Sequence, residues 1–177
     1  MIRPATIDAY GSLIEPATLK IERVLPGPVE RIWAYVTESE LRSKWLAEGN
    51  MPLEQGAEFE LVWRNSKLSE PPSATPEGFP EEQRMQSRVV DVDAPRRLVI
   101  TWGTASEVTF HLEPMGGEVL LTIIHRRLPD RASKLNVSAG WHAHLDVLSA
   151  RLSGAALPPF WPTWTKFKKD YEARLPA

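Results

Sequence analysis

Two segments near opposite ends of the chain constrain its fold more than anything else in it. From Leu19 to Leu46, a strand-like stretch stops at Leu25-Pro26-Gly27-Pro28, and Val29, Ile32, Trp33 and Val36 then recur at helical spacing. Pro28 suits a first helical position. Thr37-x-x-Glu40 reads as a capping box that opens a second, short helix ending on Trp45-Leu46. Near the other end, Gly140-Trp141 followed by Leu145, Leu148 and Leu152 marks a long helix closed by Gly154. Between these segments lies a run of stretches that alternate like strand. One strand, two short helices, a run of strands and one long helix predict a single antiparallel sheet with helices on one side, an α+β arrangement.

The strands can be placed from their alternation. They are Thr18–Leu25, Ala57–Arg64 (Phe59, Leu61 and Trp63 on one face), Arg84–Asp93, Leu98–Gly103, Glu107–Glu113 and Glu118–Arg127, the last entered through a Met115-Gly116-Gly117 hairpin. Asn65 to Glu82 is polar, rich in proline and aperiodic, hence a long loop. The long helix is expected from about Arg131 to Ser153. Its second half has a clean apolar stripe, whereas Lys134, Val137 and Ser138 share the inward face of its first half. A helix sealing a solid core is apolar along its whole inner face, but one that roofs a pocket can carry polar groups there. The pattern therefore predicts a curved sheet around a long helix with a cavity between them. A last helix, Pro162–Leu175, carries a stripe of Trp161, Trp164, Phe167, Tyr171 and Leu175 opposite Lys166, Lys169 and Asp170. It reads as docking on its own domain or on a second subunit rather than on a membrane, which leaves a homodimer open.

Composition excludes several classes. The 177 residues suit one domain with an appendage. A net charge of -2 gives no pull toward nucleic acid or anionic membrane. No apolar run is long enough to span a bilayer, and the first residues lack a signal-peptide core, so a cytoplasmic address is expected. With no cysteine there is no disulfide, thiolate metal site or cysteine nucleophile. Seven tryptophans are many for this length; each brings a large apolar area and one N–H in need of a partner.

The stretches Leu25-Pro26 to Trp33, Thr37-x-x-x-Leu41-x-x-x-Trp45, Val90-x-x-Asp93-x-Pro95-Arg96-Arg97-Leu98, Thr101-Trp102-Gly103 and Gly140-Trp141-x-x-x-Leu145-Asp146-x-Leu148 resemble the bacterial helix-grip proteins of the START-like (SRPBCC) superfamily. The branch they look most like is named for homology to the activator of the Hsp90 chaperone's ATPase. The resemblance covers roughly Thr18 to Gly154. It implies a helix-grip domain over 1–154, with a short N-terminal extension 1–17, and an added aromatic tail helix over 155–177. The motifs are turns, helix faces and core tryptophans, so they speak for the fold more than for an activity. The resemblance also favours a cavity that holds a small, mostly apolar molecule. Two departures from the family pattern are the Pro-rich stretch Asn65–Glu82 and the tail after Gly154.

Trp45, Phe59, Leu61, Trp63, Trp102, Phe110, Leu121, Ile123, Trp141, His144, Leu145 and Leu148 can all face that cavity; the same residues would equally make an ordinary core. His125 shares a strand face with Leu121 and Ile123, and His144 lies at the edge of the helix stripe, so these two are the candidates for acid–base chemistry. Either could instead be a structural histidine. His142 is expected to point outward, and two residues apart on a helix it cannot share a metal with His144. His111 falls on a strand as well. Arg64 or Arg88, if turned inward, could anchor a carboxylate. Hydrolase, zincin and phosphate-loop motifs are absent, and no metal or cofactor is expected. Three functions remain open: a binder of a small hydrophobic molecule, a cyclase- or hydrolase-type enzyme in the same cavity, and a stress or co-chaperone-like interaction module.

Overall fold

The computed structural model describes residues 7–176. Seven strands form one antiparallel sheet: β1 (Ser12–Glu15), β2 (Thr18–Pro26), β3 (Glu58–Trp63), β4 (Gln83–Asp93), β5 (Arg97–Trp102), β6 (Ser106–Met115) and β7 (Glu118–Arg126). Their order is β1-β2-β7-β6-β5-β4-β3, so the chain crosses from one side of the sheet to the other between β2 and β3 and then returns strand by strand. The crossing carries α1 (Val29–Thr37) and α2 (Ser39–Arg42). The long α3 (Arg131–Ser153) and α4 (Phe160–Arg174) follow the last strand. The sheet curves around α3, which is the helix-grip fold.

Alternation placed the inner face correctly. On β7, Val119, Leu121, Ile123 and His125 are buried, and on β6 so are Val108, Phe110 and Leu112, while His111 is exposed on the outer face. Met115 pairs with Glu118 across the two glycines of the hairpin, where Gly116 takes a positive φ of 64°. α3 begins and ends where its capping residues dictate. The Asp130 carboxylate accepts the Ser133 N–H at 2.8 Å, and Gly154 turns left-handed at the other end.

The structure departs from the sequence reading at several local points. β1 lies within the stretch read as an N-terminal extension and pairs with β2. The capping box does not form: Glu38 occupies the cap of α2 with no side-chain bond, and the Thr37 hydroxyl donates back to the Trp33 carbonyl at 2.8 Å. Only one residue separates α1 from α2, so Thr37 is spent closing the first helix. Pro28 caps α1 from outside it, at φ -77° and ψ 173°. The long loop starts with one turn of 3-10 helix, Asn65–Leu68. His142 is buried, not outward-facing, because α4 lies over that side of α3.

The aromatic stripe of α4 is the reason. Trp161, Trp164, Phe167, Tyr171 and Leu175 are all buried in the chain's own core, together with Phe160. From Trp141 to Leu145 every residue of α3 is buried, because the helix is covered by the sheet on one side and by α4 on the other. Among the described residues no helix is long and apolar enough to cross a membrane.

Candidate functional site

A cavity of about 350 Å³ opens at one end of the sheet, where β3 finishes, β4 starts and β5 finishes. Trp63, Gln83, Arg84, Met85 and Trp102 come from these strand ends. The roof is the first half of α3, with Asn136, Val137, Gly140, Trp141 and His144. Phe160, Trp161 and Trp164 of α4 form a third wall, and Leu46, Asn65 and Phe79 complete it from the connections. Seven of these residues are aromatic and their rings interlock. Trp63 meets Trp102 edge-on at 5.4 Å, and Trp102 meets Trp141 at 5.2 Å. On the opposite wall Phe79 packs on Trp161 and Trp164 at 5.1 and 5.3 Å. Offset and edge-on arrangements are the favoured ones for such rings.

Gly140 is the unusual member of this lining. It lies in the interior of a 23-residue helix, and a Cβ built on it would meet nothing within 4 Å. Glycine there costs helix stability of about 1 kcal/mol relative to alanine, and no neighbour requires it. The missing side chain leaves space in the cavity roof.

The histidines are held by specific bonds. His125 is fully buried behind Trp102 and Trp141, and its Nδ1 accepts the Trp141 indole N–H at 3.0 Å. The ring proton is therefore on Nε2, which has no partner. Burial drives its pKa down to about 3. His144 donates from Nδ1 to the Trp45 carbonyl at 2.7 Å, which leaves the lone pair on Nε2, and its ring packs 4.5 Å from that of Phe160. Burial lowers its pKa to about 4, against the opposing pull of that hydrogen bond. His142 stacks on Phe167 at 3.6 Å and 18°, and its Nδ1 is 2.9 Å from the Tyr171 hydroxyl. Burial is again the main cause of its low pKa, about 3, with Arg23 adding to it. All three rings are neutral at pH 7. Among the described residues no group of three or more possible ligands could hold a metal, and no Asp or Glu lies on the cavity wall.

Arg64 and Arg88 do not reach the cavity. Arg64 pairs with Glu48 and Glu82, and Arg88 with Glu58, on the outer side of the sheet. Arg84 borders the cavity, but its half-exposed guanidinium belongs to the same outer charge cluster, paired with Glu60 at 2.8 Å and with Glu82, which it shares with Arg64, at 2.9 Å.

The family model described as activator of Hsp90 ATPase homolog 1-like protein matches residues 26–153. The chain belongs to that family. A solution NMR structure of a protein from Bordetella parapertussis is 37% identical, covers 100% of this chain and 97% of its own, and superposes with a TM-score of 0.79. The crystal structure of CalU16 from Micromonospora echinospora, 22% identical over 88% of this chain and 86% of that one, gives 0.64. A protein of unknown function from Enterococcus faecalis, 20% identical over 93% and 88%, also gives 0.64. The last two likenesses concern the fold alone. No curated protein matches.

Within this family member, the structure brings four of the twelve residues suggested by the sequence to the cavity wall: Trp63, Trp102, Trp141 and His144. Trp45, Phe59, Leu61, Phe110, Leu121, Ile123, Leu145 and Leu148 are buried in the core and do not line it. Alternation identifies the inner face of a strand but not the point along it at which the helix lifts away. Val137 lines it from the inward face expected of the first half of α3, whereas Leu46, Asn65, Phe79, Gln83, Arg84, Met85, Asn136, Gly140, Phe160, Trp161 and Trp164 come without such a signal of their own. The irregular first half of α3 and the aromatic stripe of the tail were the signals available for part of this set.

Proposed function

We propose that this member of the family binds a small, mostly apolar molecule in the cavity bounded by the strand ends, α3 and α4. Gly140 carries the proposal. A helix-interior glycine that faces the cavity, with open space where any other residue would place a Cβ, preserves room at a cost in stability. The size of the cavity is at the small end of the range of ligand sites, and a wall of seven aromatic residues with Leu46, Met85 and Val137, broken by a few polar groups, is the composition such sites have. Burial against the rings would supply affinity and the polar groups would fix orientation.

The enzyme reading has less support. It would rest on His144 alone, a weak base at its lowered pKa, because His125 is engaged with Trp141 and is not on the wall. An interaction module working through the tail helix would have to expose an aromatic stripe that is buried on α3, and the same burial removes the reason for a homodimer through that helix.

Gly140→Leu tests the binding reading. The new side chain would enter the cavity without a backbone clash, so the variant should stay folded and be at least as stable as the parent. Apolar probe molecules should raise the Tm of the parent and leave that of Gly140→Leu unchanged. Equal shifts for both proteins, or none for the parent across a panel of apolar compounds, would rule out this cavity as the site.

A further inference from the structure

We propose that the molecule held in this cavity carries a neutral hydrogen-bond donor, an N–H or O–H, that binds Nε2 of His144. This rests on the cavity being the ligand site and goes on to name the group a ligand must present there. The Trp45 carbonyl can only accept, so Nδ1 of His144 carries the ring proton and donates to it at 2.7 Å. Nε2 is then an acceptor with a free lone pair. Among the described residues it has no hydrogen-bond partner, yet unlike Nε2 of His125 it is not sealed from solvent. His144 lines the cavity and is only 6% exposed, so the space on which Nε2 opens is the cavity.

The same face of α3 supplies the room. Gly140 and His144 are one turn apart, and a helical side chain leans over the turn before it. The His144 ring therefore shares a face with the space that Gly140 leaves open, where a Cβ would meet nothing within 4 Å. Phe160 backs the ring at 4.5 Å. The other polar members of the wall stand differently. Gln83, Arg84 and Asn136 are exposed, so water competes for their bonds. Nε1 of Trp161 and Oδ1 of Asn65 are shut off from any entering molecule. Among the described residues, His144 is the polar side chain of the wall that is both buried and open to the cavity.

An acceptor fixed in this way selects. A carboxylate, ketone or ether brings only lone pairs to Nε2 and leaves both groups unpaired. An ammonium can donate, but among the described residues no Asp or Glu on the wall balances its charge. Protonation would turn Nε2 into a donor, and burial opposes it by lowering the pKa of the ring to about 4. The ligand class is a compact, mostly apolar molecule with a neutral N–H or O–H set against α3 and any further polar group at the exposed rim.

Indole and benzofuran have the same shape and differ in an N–H against an ether oxygen, and their affinities for the full chain are compared by titration calorimetry. Apolar walls alone favour benzofuran, because indole loses the hydration of its N–H. With His144 accepting, indole should bind about tenfold tighter or more. His144→Asn keeps an amide that can donate to the Trp45 carbonyl and ends short of the position of Nε2. It should bring the two probes within about threefold of each other by weakening indole, while benzofuran binds as before. In the parent, the nitrogen NMR resonance of Nε2 should move when indole is added and stay when benzofuran is, a readout that needs no variant. Benzofuran bound as tightly as indole by the parent would overturn the proposal, as would a preference that survives His144→Asn or an Nε2 resonance that indole leaves unmoved. Binding confined to compounds without a donor overturns it too and leaves the cavity reading standing. If no apolar compound binds, the cavity reading itself falls and the donor with it.

Discussion

Arg42 gives the clearest stability prediction from a single side chain. Its guanidinium is 1% exposed, faces carbonyls only, and has its pKa lowered by burial to about 10, so it is still charged at pH 7. Nη1 donates to the Thr37 and Val36 carbonyls at 3.0 and 3.3 Å, Nε to that of Ala47 at 3.0 Å, and Nη2 to that of Gly49. It thus closes the C-terminus of α1 and pins the turn beyond α2, where Gly49 has a φ of 142° and a Cβ would lie 1.9 Å from the Glu60 carbonyl oxygen. Arg42→Met keeps length and burial but leaves these carbonyls without the donor; with hydrogen bonds to a charged group worth about 1.5–3 kcal/mol each, a loss of about 3 kcal/mol is expected in urea unfolding. Arg42→Lys should recover less than half of it, since one ammonium cannot span four acceptors set around a planar fork. A loss under 1 kcal/mol for Arg42→Met would mean that the carbonyls find other partners. Nothing in the sequence marks this arginine, because a basic residue in the last turn of a short helix ordinarily points to solvent.

Among the elements, α4 couples the cavity to the rest of the fold. Its N-terminal half supplies Phe160, Trp161 and Trp164 to the wall, and its C-terminal half is tied down by directional bonds. The Tyr171 hydroxyl accepts the Gly11 N–H at 2.8 Å, Tyr10 donates to Asp170 at 2.7 Å, and Arg131 reaches the carbonyls of Glu172, Leu175 and Pro176. A chain ending at Gly154 would lose five buried aromatic side chains and uncover one side of α3. It is expected to lose about 3 kcal/mol or more, allowing for the ordering entropy that α4 no longer costs. Its bared apolar surface should drive association, so light scattering after size exclusion should find the full chain monomeric and the shortened one larger. A dimeric full chain that becomes monomeric on truncation would place α4 in a subunit interface instead. The elements themselves were legible because period-2 and period-3.6 patterns do not depend on what lies beside them: α3 was read to its end residues and six strands to within a residue or two. The partner of the aromatic stripe was not legible, since a stripe shows that something covers it but not what. β1 is only four residues long and mostly exposed, too short to declare itself.

For the molecule as a whole, three neutral histidines buried at its centre predict its response to acid. His125, His142 and His144 have pKa values of about 3, 3 and 4 in the folded state, each lowered mainly by burial. In the unfolded chain they would titrate near about 6.5. The sign follows from that difference: below about pH 6.5 the unfolded chain takes up protons that the folded chain refuses. The stability due to their neutrality is therefore complete above pH 6.5 and is lost as pH falls toward 4 and 3. Each histidine contributes a slope of about 1.4 kcal/mol per pH unit, and three together about 4. Against a typical domain stability of about 5–15 kcal/mol, acid unfolding should set in between about pH 5.5 and 4. Asp130 and Asp170, held below the usual carboxylate range by hydrogen bonds from Ser133 and Tyr10, add to the loss only at lower pH, and Asp146, raised by burial, opposes it slightly. Unfolding at pH 5 should be accompanied by uptake of about three protons, measurable from urea midpoints across pH. His142→Gln keeps a polar group beside the Tyr171 hydroxyl and should cut the pH slope by about a third even where it lowers stability overall. A stability that stays flat from pH 6.5 to 4.5 would show that the folded chain protonates these rings as readily as the unfolded one, and that the core around them admits charge.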